Sequence, residues 1–351
     1  MSGYLARMAA EGFEEVVLAH DAETGLKTAI AIHSTARGPA LGGTRMWVYP
    51  SEEAAVEDVM CLARGMSYKS AAAELPLGGG KGVIIADPRH DKSEALFRAY
   101  GRFVEKMNGR FITAADMGTE EKDLDCVRLE TDHVVGGSQL GSPSPFTAYG
   151  VWKGMKACAS EAFGTSSLSG LTVAVQGVGT VGAALCRHLA EEGAQLIVTD
   201  LDGDKAAKAE EMWNAKAVGH DQIYTQKCDI FAPCATGGAV NADNVGLLQC
   251  KAVAGAANNI LKEDRLGAEL HNRGIIYAPD YIINAGGIIF VEYSRQGGKT
   301  HDEIKLIIDL IEERMAGLFK RAREEKLLPQ QVADVIAEEN LQVKADYSRS
   351  L

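Results

Sequence analysis

Two hydrophobic rhythms alternate along the chain. Residues 14–20 and 27–33 run apolar or alternate with β-branched positions, which predicts strands. Across 51–72 the apolar residues Ala54, Ala55, Val59, Met60, Leu62 and Ala63 recur at helical spacing. A glycine cluster at 78–80 precedes Val83-Ile84-Ile85, which reads as a strand. Residues 92–108 read as a helix and Phe111-Ile112-Thr113 as a strand. Composition then shifts between Gly136 and Pro145, rich in glycine, serine and proline, and marks a hinge or loop between domains. Beyond it the pattern becomes regular: helix 147–163, strand 172–176, helix 180–192, strand 195–199 and helix 204–214. Short apolar runs follow at 229–233, 252–256 and 275–278, with a helix near 262–273. Strand–helix alternation of this kind predicts a parallel, doubly wound sheet. Charged amphipathic helices at 301–324 and 328–340 complete the pattern.

Length fits this division. At roughly 100–200 residues per domain, 351 residues suggest two domains, each with its own core. The expected fold is α/β, with an N-terminal domain over 1–145 and a Rossmann domain over 146–325. The helix over about 326–351 is expected to pack back on the first. Charge changes the picture by exclusion. With 36 Lys plus Arg against 48 Asp plus Glu, the formal net charge is -12, and this diffuse acidity argues against nucleic acid or an anionic membrane as partner. Residues 1–7 lack a basic start followed by an apolar core, so no signal peptide is expected, and no apolar run approaches the ~18 residues of a membrane helix. The seven cysteines are scattered with no CxxC pair, which reads as reduced, mostly packed thiols in a cytoplasmic protein. There is no HExxH and no Cys/His cluster at ligand spacing, so no metal is expected.

Candidate chemistry begins at Gly177-Val178-Gly179-Thr180-Val181-Gly182. This segment follows the strand 172–176 and opens a helix, and the next strand ends at Asp200, 23 residues past Gly177. Gly177 allows a tight turn. Gly179 lets the backbone approach a pyrophosphate at the positive end of the helix, and Gly182 lets helix and strand pack closely. Asp200 can accept from both ribose hydroxyls. A glycine-rich turn alone would explain the glycines, but not the strand, helix, second strand and acid in order. Asp200 would repel a 2′-phosphate and Leu201-Asp202-Gly203 supplies no arginine, which favours NAD over NADP.

In the first domain three polar groups stand out: Lys69, Lys81 and Asp116. A lysine usually lies on a solvated face. Lys81, however, sits between Gly78-Gly79-Gly80 and an apolar strand, where a surface lysine gains nothing and where glycines would let substrate approach the backbone. A lysine desolvated beside another cation has a lowered pKa and can act as a base near neutrality. Both readings of Lys81 stand on this pattern alone.

Gly38-Pro39-Ala40-Leu41-Gly42-Gly43-Thr44-Arg45, Gly65-Met66-Ser67-Tyr68-Lys69, Leu77-Gly78-Gly79-Gly80-Lys81 and Thr113-Ala114-Ala115-Asp116 resemble the glutamate/leucine/phenylalanine/valine dehydrogenase family. So do Ala232-Pro233-Cys234-Ala235, Gly255-Ala256-Ala257-Asn258-Asn259 and Ala278-Pro279-Asp280-Tyr281-Ile282-Ile283-Asn284-Ala285-Gly286-Gly287. The motifs span 38–287 in the family's order, and the resemblance is nearest its leucine-type branch. It implies an N-terminal substrate and oligomerisation domain, a deep cleft between the domains, and reversible NAD-dependent oxidative deamination of a hydrophobic L-amino acid to its 2-oxo acid and ammonia. By that resemblance Lys69 holds the substrate carboxylate, Lys81 activates water for attack on the imine carbon, and Asp116 shuttles protons to and from the amino group. Gly42 and Gly43 line the site. Asn258 and Asn259 touch the substrate carboxylate and the nicotinamide ribose, in either assignment. Thr147 and Asn284 seat the nicotinamide, with Cys234 and Ala235 beside the cofactor. It also implies a homo-oligomer, a dimer or an octamer.

Substrate size follows from the same comparison. The glutamate-specific branch carries a lysine where this chain has Leu41, so glutamate would leave a buried, unpaired charge. The glycines around Leu41 predict an exposed cleft wall. Ala114, where aromatic-specific members often show glycine, narrows the pocket, and one methyl discriminates by about 1–3 kcal/mol. Ile288 and Val291 complete the apolar wall. The expected substrate is therefore branched-chain aliphatic, with L-phenylalanine or another aromatic amino acid as the alternative. Phe146 and Phe290 depart from the family pattern, which has smaller and polar residues there. Two other classes compete. A 2-hydroxy-acid dehydrogenase wants a histidine acid/base, and none of the eight histidines has a suitable setting; His188 falls inside the Rossmann helix and reads as structural. A non-catalytic NAD-sensing module would need none of Lys69, Lys81 and Asp116.

Overall fold

Strand pairing sorts the chain into two sheets, five-stranded and six-stranded among the described residues, which are 3–138 and 141–343 of a computed structural model. Gln139 and Leu140 of the expected hinge, and the end of the closing segment from 344 onward, lie outside them. Two compact units result. One takes in the chain to Ser142 and resumes at Ile336; the other is Pro143–Val335.

The first unit contains α1 (Tyr4–Glu11), β1 (Glu15–Asp21), β2 (Leu26–Ser34), β3 (Ala40–Trp47), α2 (Glu52–Ala72), β4 (Gly78–Ile85), α3 (Glu94–Glu105), β5 (Phe111–Ala115) and α4 (Glu121–Arg128). The sheet order is β1-β2-β4-β3-β5. The first two pairings are antiparallel and the last two parallel. Both faces are covered, so β3 and β4 are buried almost throughout. Ala29, Ala31 and Val83 meet Val56, Val59, Met60 and Ala63 of α2 on one side. Ile30, Met46, Ile84 and Phe111 meet Phe97, Tyr100, Phe103 and Leu124 of α3 and α4 on the other.

Two departures from the sequence reading have one cause. β4 begins at Gly78 rather than at Val83, and β3 runs through Gly42-Gly43, where no strand is expected. Glycine weakens a strand and so hides it, yet here it lets another backbone approach. A Cβ on Gly79 would lie 2.0 Å from the amide nitrogen of Ser67, because α2 crosses β4 there. The triple glycine is thus filled by protein. Past Ile336 the chain adds polar ties to this unit: Asn340 Nδ2 donates to the Ala71 carbonyl at 3.0 Å, Arg37 Nη1 donates to the Asn340 carbonyl at 2.9 Å, and Tyr68 Oη donates to Glu338 at 2.8 Å.

The second unit contains α5 (Ser144–Phe163), β6 (Thr172–Gln176), α6 (Thr180–Glu192), β7 (Gln195–Thr199), α7 (Gly203–Trp213), β8 (Lys216–Ala217), β9 (Ile230–Pro233), β10 (Ala252–Val253), α8 (Arg265–Asn272), β11 (Ile276–Tyr277), α9 (Asp280–Ile283), α10 (Gly286–Gln296) and α11 (His301–Glu325); α12 (Pro329–Gln342) begins in it. All pairings of the sheet, ordered β11-β10-β9-β6-β7-β8, are parallel. In chain order this is 3-2-1-4-5-6, and the order reverses between β6 and β9, where open α/β sheets bind ligands.

The crossing at Gly79 yields a prediction. Gly79→Ala forces α2 off β4 and should destabilise the protein by about 1–3 kcal/mol, read as a lower denaturation midpoint in urea. An unchanged midpoint would show that α2 has room to shift.

Candidate active site

Alternation along parallel strands puts Leu41, Gly43 and Arg45 of β3 on the α2 side of the sheet. Lys81 of β4 and Ala114 of β5 share that side, and Asp116 follows just beyond β5. Gly43 is what admits Asp116: a Cβ there would stand 2.9 Å from the Asp116 Cβ. The Asp116 backbone N–H donates to Thr119 Oγ1 at 2.9 Å, and Thr119 Oγ1 lies 2.8 Å from the Thr44 carbonyl it donates to. This fixes the turn after β5.

Lys81 is 5% exposed and its Nζ lies 3.2 Å from Asp116 Oδ2. Burial pushes the lysine below its ordinary range, and the Arg45 guanidinium adds to the fall, while the Asp116 carboxylate opposes both. Burial pushes the Asp116 carboxyl up, but the charges of Lys81 and Arg45 outweigh it and hold the group below the usual carboxylate range. The result is a dry lysine whose charged form is disfavoured beside a carboxylate whose charged form is favoured. Lys69 is half-buried in the last turn of α2, two residues past the Ser67–Gly79 crossing, and Lys81 lies two residues past the same crossing on β4.

The apolar positions divide. Ala114 is half-buried, as is Val291 of α10, while Ile288 is buried. Leu41 corrects its expectation: at 3% exposure it is a buried side chain rather than an exposed wall, because β3 lies inside the sheet with α2 over it. Gly42 is wedged against the Gly80 carbonyl, 1.7 Å from where its Cβ would be. Phe146 and Phe290 stack face to face, centroids 4.1 Å apart, with His301 edge-on to both. Both rings are buried, so their departures from the family pattern are accounted for by packing on each other. His188 stacks on Trp152 and is held low by burial, a structural setting.

In the second unit the glycine loop stands at the β6–β9 reversal. Gly177 has φ +96°, with Ala235 against its Cβ position. A Cβ on Gly182 would lie 1.9 Å from the Gly177 carbonyl oxygen, whereas nothing lies within 4 Å of one on Gly179. Val178 follows Gly177 and is buried; Thr180 and Val181 open α6. The Val178 N–H donates to Asp200 Oδ2 at 2.7 Å, and the Asp202 N–H to Asp200 Oδ1 at 2.9 Å. Each of those oxygens keeps a lone pair for a further donor. Cys234 donates its N–H to the Gln176 carbonyl, and burial pushes its thiol up to about 12. A second group gathers around Asn284, whose Nδ2 donates to Asn258 Oδ1 at 2.8 Å and to the Ala256 carbonyl at 3.1 Å. Among the described residues its Oδ1 is buried without a hydrogen-bond partner. Asn259 is exposed at φ +51°. Thr147 Oγ1 donates to the Pro143 carbonyl and touches the place where a Gly287 Cβ would be, 2.4 Å away.

Comparison with known proteins gives a consistent picture. Residues 14–133 match the family described as Glu/Leu/Phe/Val dehydrogenase, dimerisation domain, and residues 198–326 match Glutamate/Leucine/Phenylalanine/Valine dehydrogenase. Leucine dehydrogenase of Geobacillus stearothermophilus is 53% identical over 337 residues, covering 94% of this chain and 91% of its own. Leucine dehydrogenase of Bacillus subtilis (strain 168) is 56% identical, covering 84% and 82%. The crystal structure of L-tryptophan dehydrogenase from Nostoc punctiforme superposes with a TM-score of 0.86 at 40% identity, covering 96% of this chain and 98% of that one.

The ion pair makes its own test. Because Asp116 raises the Lys81 pKa, Asp116→Asn should move the Lys81 titration to lower pH, followed by nitrogen-15 NMR of the lysine side chains. A titration that stays put or rises would contradict the pairing.

Proposed function

Because the chain belongs to the glutamate/leucine/phenylalanine/valine dehydrogenase family and is an amino-acid dehydrogenase with a nicotinamide cofactor, we propose that it carries out reversible, NAD-dependent oxidative deamination of a branched-chain aliphatic L-amino acid. The observation that carries this reading is the buried Lys81 ammonium 3.2 Å from Asp116 Oδ2, on the sheet face that also bears Leu41 and Ala114.

The glycine loop fits a dinucleotide. Space is open beyond Gly179, the first turn of α6 has N–H groups that its own helix leaves unpaired, and the half-exposed Asp200 stands at the end of β7, ready for ribose hydroxyls and unfavourable to a 2′-phosphate. The orphaned Asn284 Oδ1 offers a buried acceptor to a carboxamide N–H. Thr147, Gly177, Val178, Gly182, Cys234, Ala235 and Asn259 complete the proposed cofactor contacts. When bound, the nicotinamide accepts the hydride from the substrate α-carbon.

The chain's own residues do the rest. Lys69 binds the substrate carboxylate by charge and hydrogen bonding. Neutral Lys81 takes a proton from the water that attacks the imine carbon, which its lowered pKa favours. Asp116, ionised at rest, accepts a proton from the amino group in one direction and returns it in the other. In the first unit the half-buried Ala114 offers the side chain only hydrocarbon, so a glutamate carboxylate would be stranded there. An aromatic substrate is the second reading, favoured by the 40% identical relative, the L-tryptophan dehydrogenase from Nostoc punctiforme. A homo-oligomer, dimer or octamer, belongs to the proposal, supported by the dimerisation-domain match. So does a cytoplasmic setting, supported by the scattered free cysteines. Among the described residues no helix is long and apolar enough to cross a membrane.

NADH formation with leucine, valine, isoleucine, phenylalanine, tryptophan and glutamate tests the substrate. The aliphatic acids should give the highest kcat/KM and glutamate almost none; a preference for glutamate would overturn the reading. Lys81→Ala should lower kcat by at least ~10²-fold and leave NAD binding, followed by fluorescence, close to the parent value.

A further inference from the structure

Asp116 Oδ2 has two cationic neighbours. Besides Lys81 Nζ at 3.2 Å, Arg45 Nε donates to it at 3.0 Å. The same guanidinium is gripped at its other end, where Nη1 donates to Asp58 Oδ2 at 3.0 Å and Oδ1 at 3.3 Å. Tyr49 Oη in turn donates to Asp58 Oδ2 at 2.6 Å. The chain of contacts Tyr49–Asp58–Arg45–Asp116–Lys81 draws on β3 and the segment after it, α2, the turn after β5, and β4.

We propose that Arg45, held by Asp58 and Tyr49, is a positioning residue that fixes the Asp116 carboxylate against Lys81 and keeps it paired when Lys81 gives up its proton. The proposal rests on the reading of Lys81 as the base. A buried carboxylate facing Lys81 alone would be stranded each time the ammonium became neutral, and would pull the proton back. A guanidinium cannot be deprotonated in a protein, so Arg45 stays a cation and donor throughout the cycle. Asp58 offsets the second positive charge, and its bonds to Nη1 leave Nε free to aim at Asp116. Every side chain in the set has a partner that restricts its rotamers, as a preorganised site requires. Toward Lys81 the charged groups are Asp116, Arg45 and Asp58; toward Arg45 they are Asp116 and Asp58, with the neutral, titratable Tyr49 beside them. Burial and Asp58 push the Tyr49 phenol up, so it remains a donor across the working range.

The experiment is the pH profile of kcat/KM for leucine oxidation in the parent enzyme, Arg45→Gln, Arg45→Lys, Tyr49→Phe and Lys81→Ala, with thermal melts alongside. Loss of the fixed cation removes a repulsion on Lys81, so Arg45→Gln should move the acid limb upward by about one pH unit or more and lower kcat at least tenfold with a smaller change in KM. Arg45→Lys, which keeps the charge, should bring the limb back toward the parent. Should Arg45→Gln not fold, Tyr49→Phe carries the test, with a smaller upward shift expected. A melt lowered with an unmoved acid limb would mean that Arg45 only braces the fold, and would overturn the proposal. If Lys81→Ala is inactive while the Arg45 and Tyr49 variants keep the parent profile, only the positioning role fails; an active Lys81→Ala removes the reading beneath it.

Discussion

An ammonium taken out of water and set 3.2 Å from a carboxylate is the constraint on which the first unit turns. An isolated buried ion is penalised by several kcal/mol, so the structure must bring Asp116 to Lys81 and hold it there. That demand is visible in the strands. β3 and β5 run parallel, and Gly43 makes room for Asp116 beside the strand that carries Lys81. α2 closes over β4 at Gly79. The opposition of burial and pairing leaves the lysine below its usual range and the carboxyl below its own.

The second unit uses the same residue type for a different purpose, the close turn at the proposed dinucleotide site. Gly182 brings the start of α6 against the Gly177 carbonyl, and Asp200 clasps the loop through the Val178 N–H. Glycine serves close approach in both units. In β4 the approaching atoms are protein; at Gly179 the space is open.

How much of this could be read from the sequence depended on whether one signal or several agreed. β6, α6 and β7 are found at the residues expected, because periodicity, the glycine turn and the terminal acid all point the same way. β3 was illegible because Gly42-Gly43 breaks the apolar run, and α10 because it begins on Gly286-Gly287. α1 and α4 are short, eight residues each, and left little trace. Lys81 and Asp116 could be singled out by their apolar surroundings. Leu41 could not be placed, since nothing local says that α2 lies over it. Arg45 is a cation between Thr44 and Met46, both buried, in a strand closed to solvent from Ala40 to Thr44, and such a cation requires an anionic partner.

The first unit is not continuous in the chain. Asn340 and Glu338 supply bonds to Ala71, Arg37 and Tyr68, yet the whole stretch Pro143–Val335 intervenes. Synthesis proceeds from the N-terminus, and domains tend to fold as they emerge. The unit carrying Lys69, Lys81 and Asp116 therefore has to wait, with the end of α2 lacking its polar partners, until its neighbour has left the ribosome. The part that begins first is finished last.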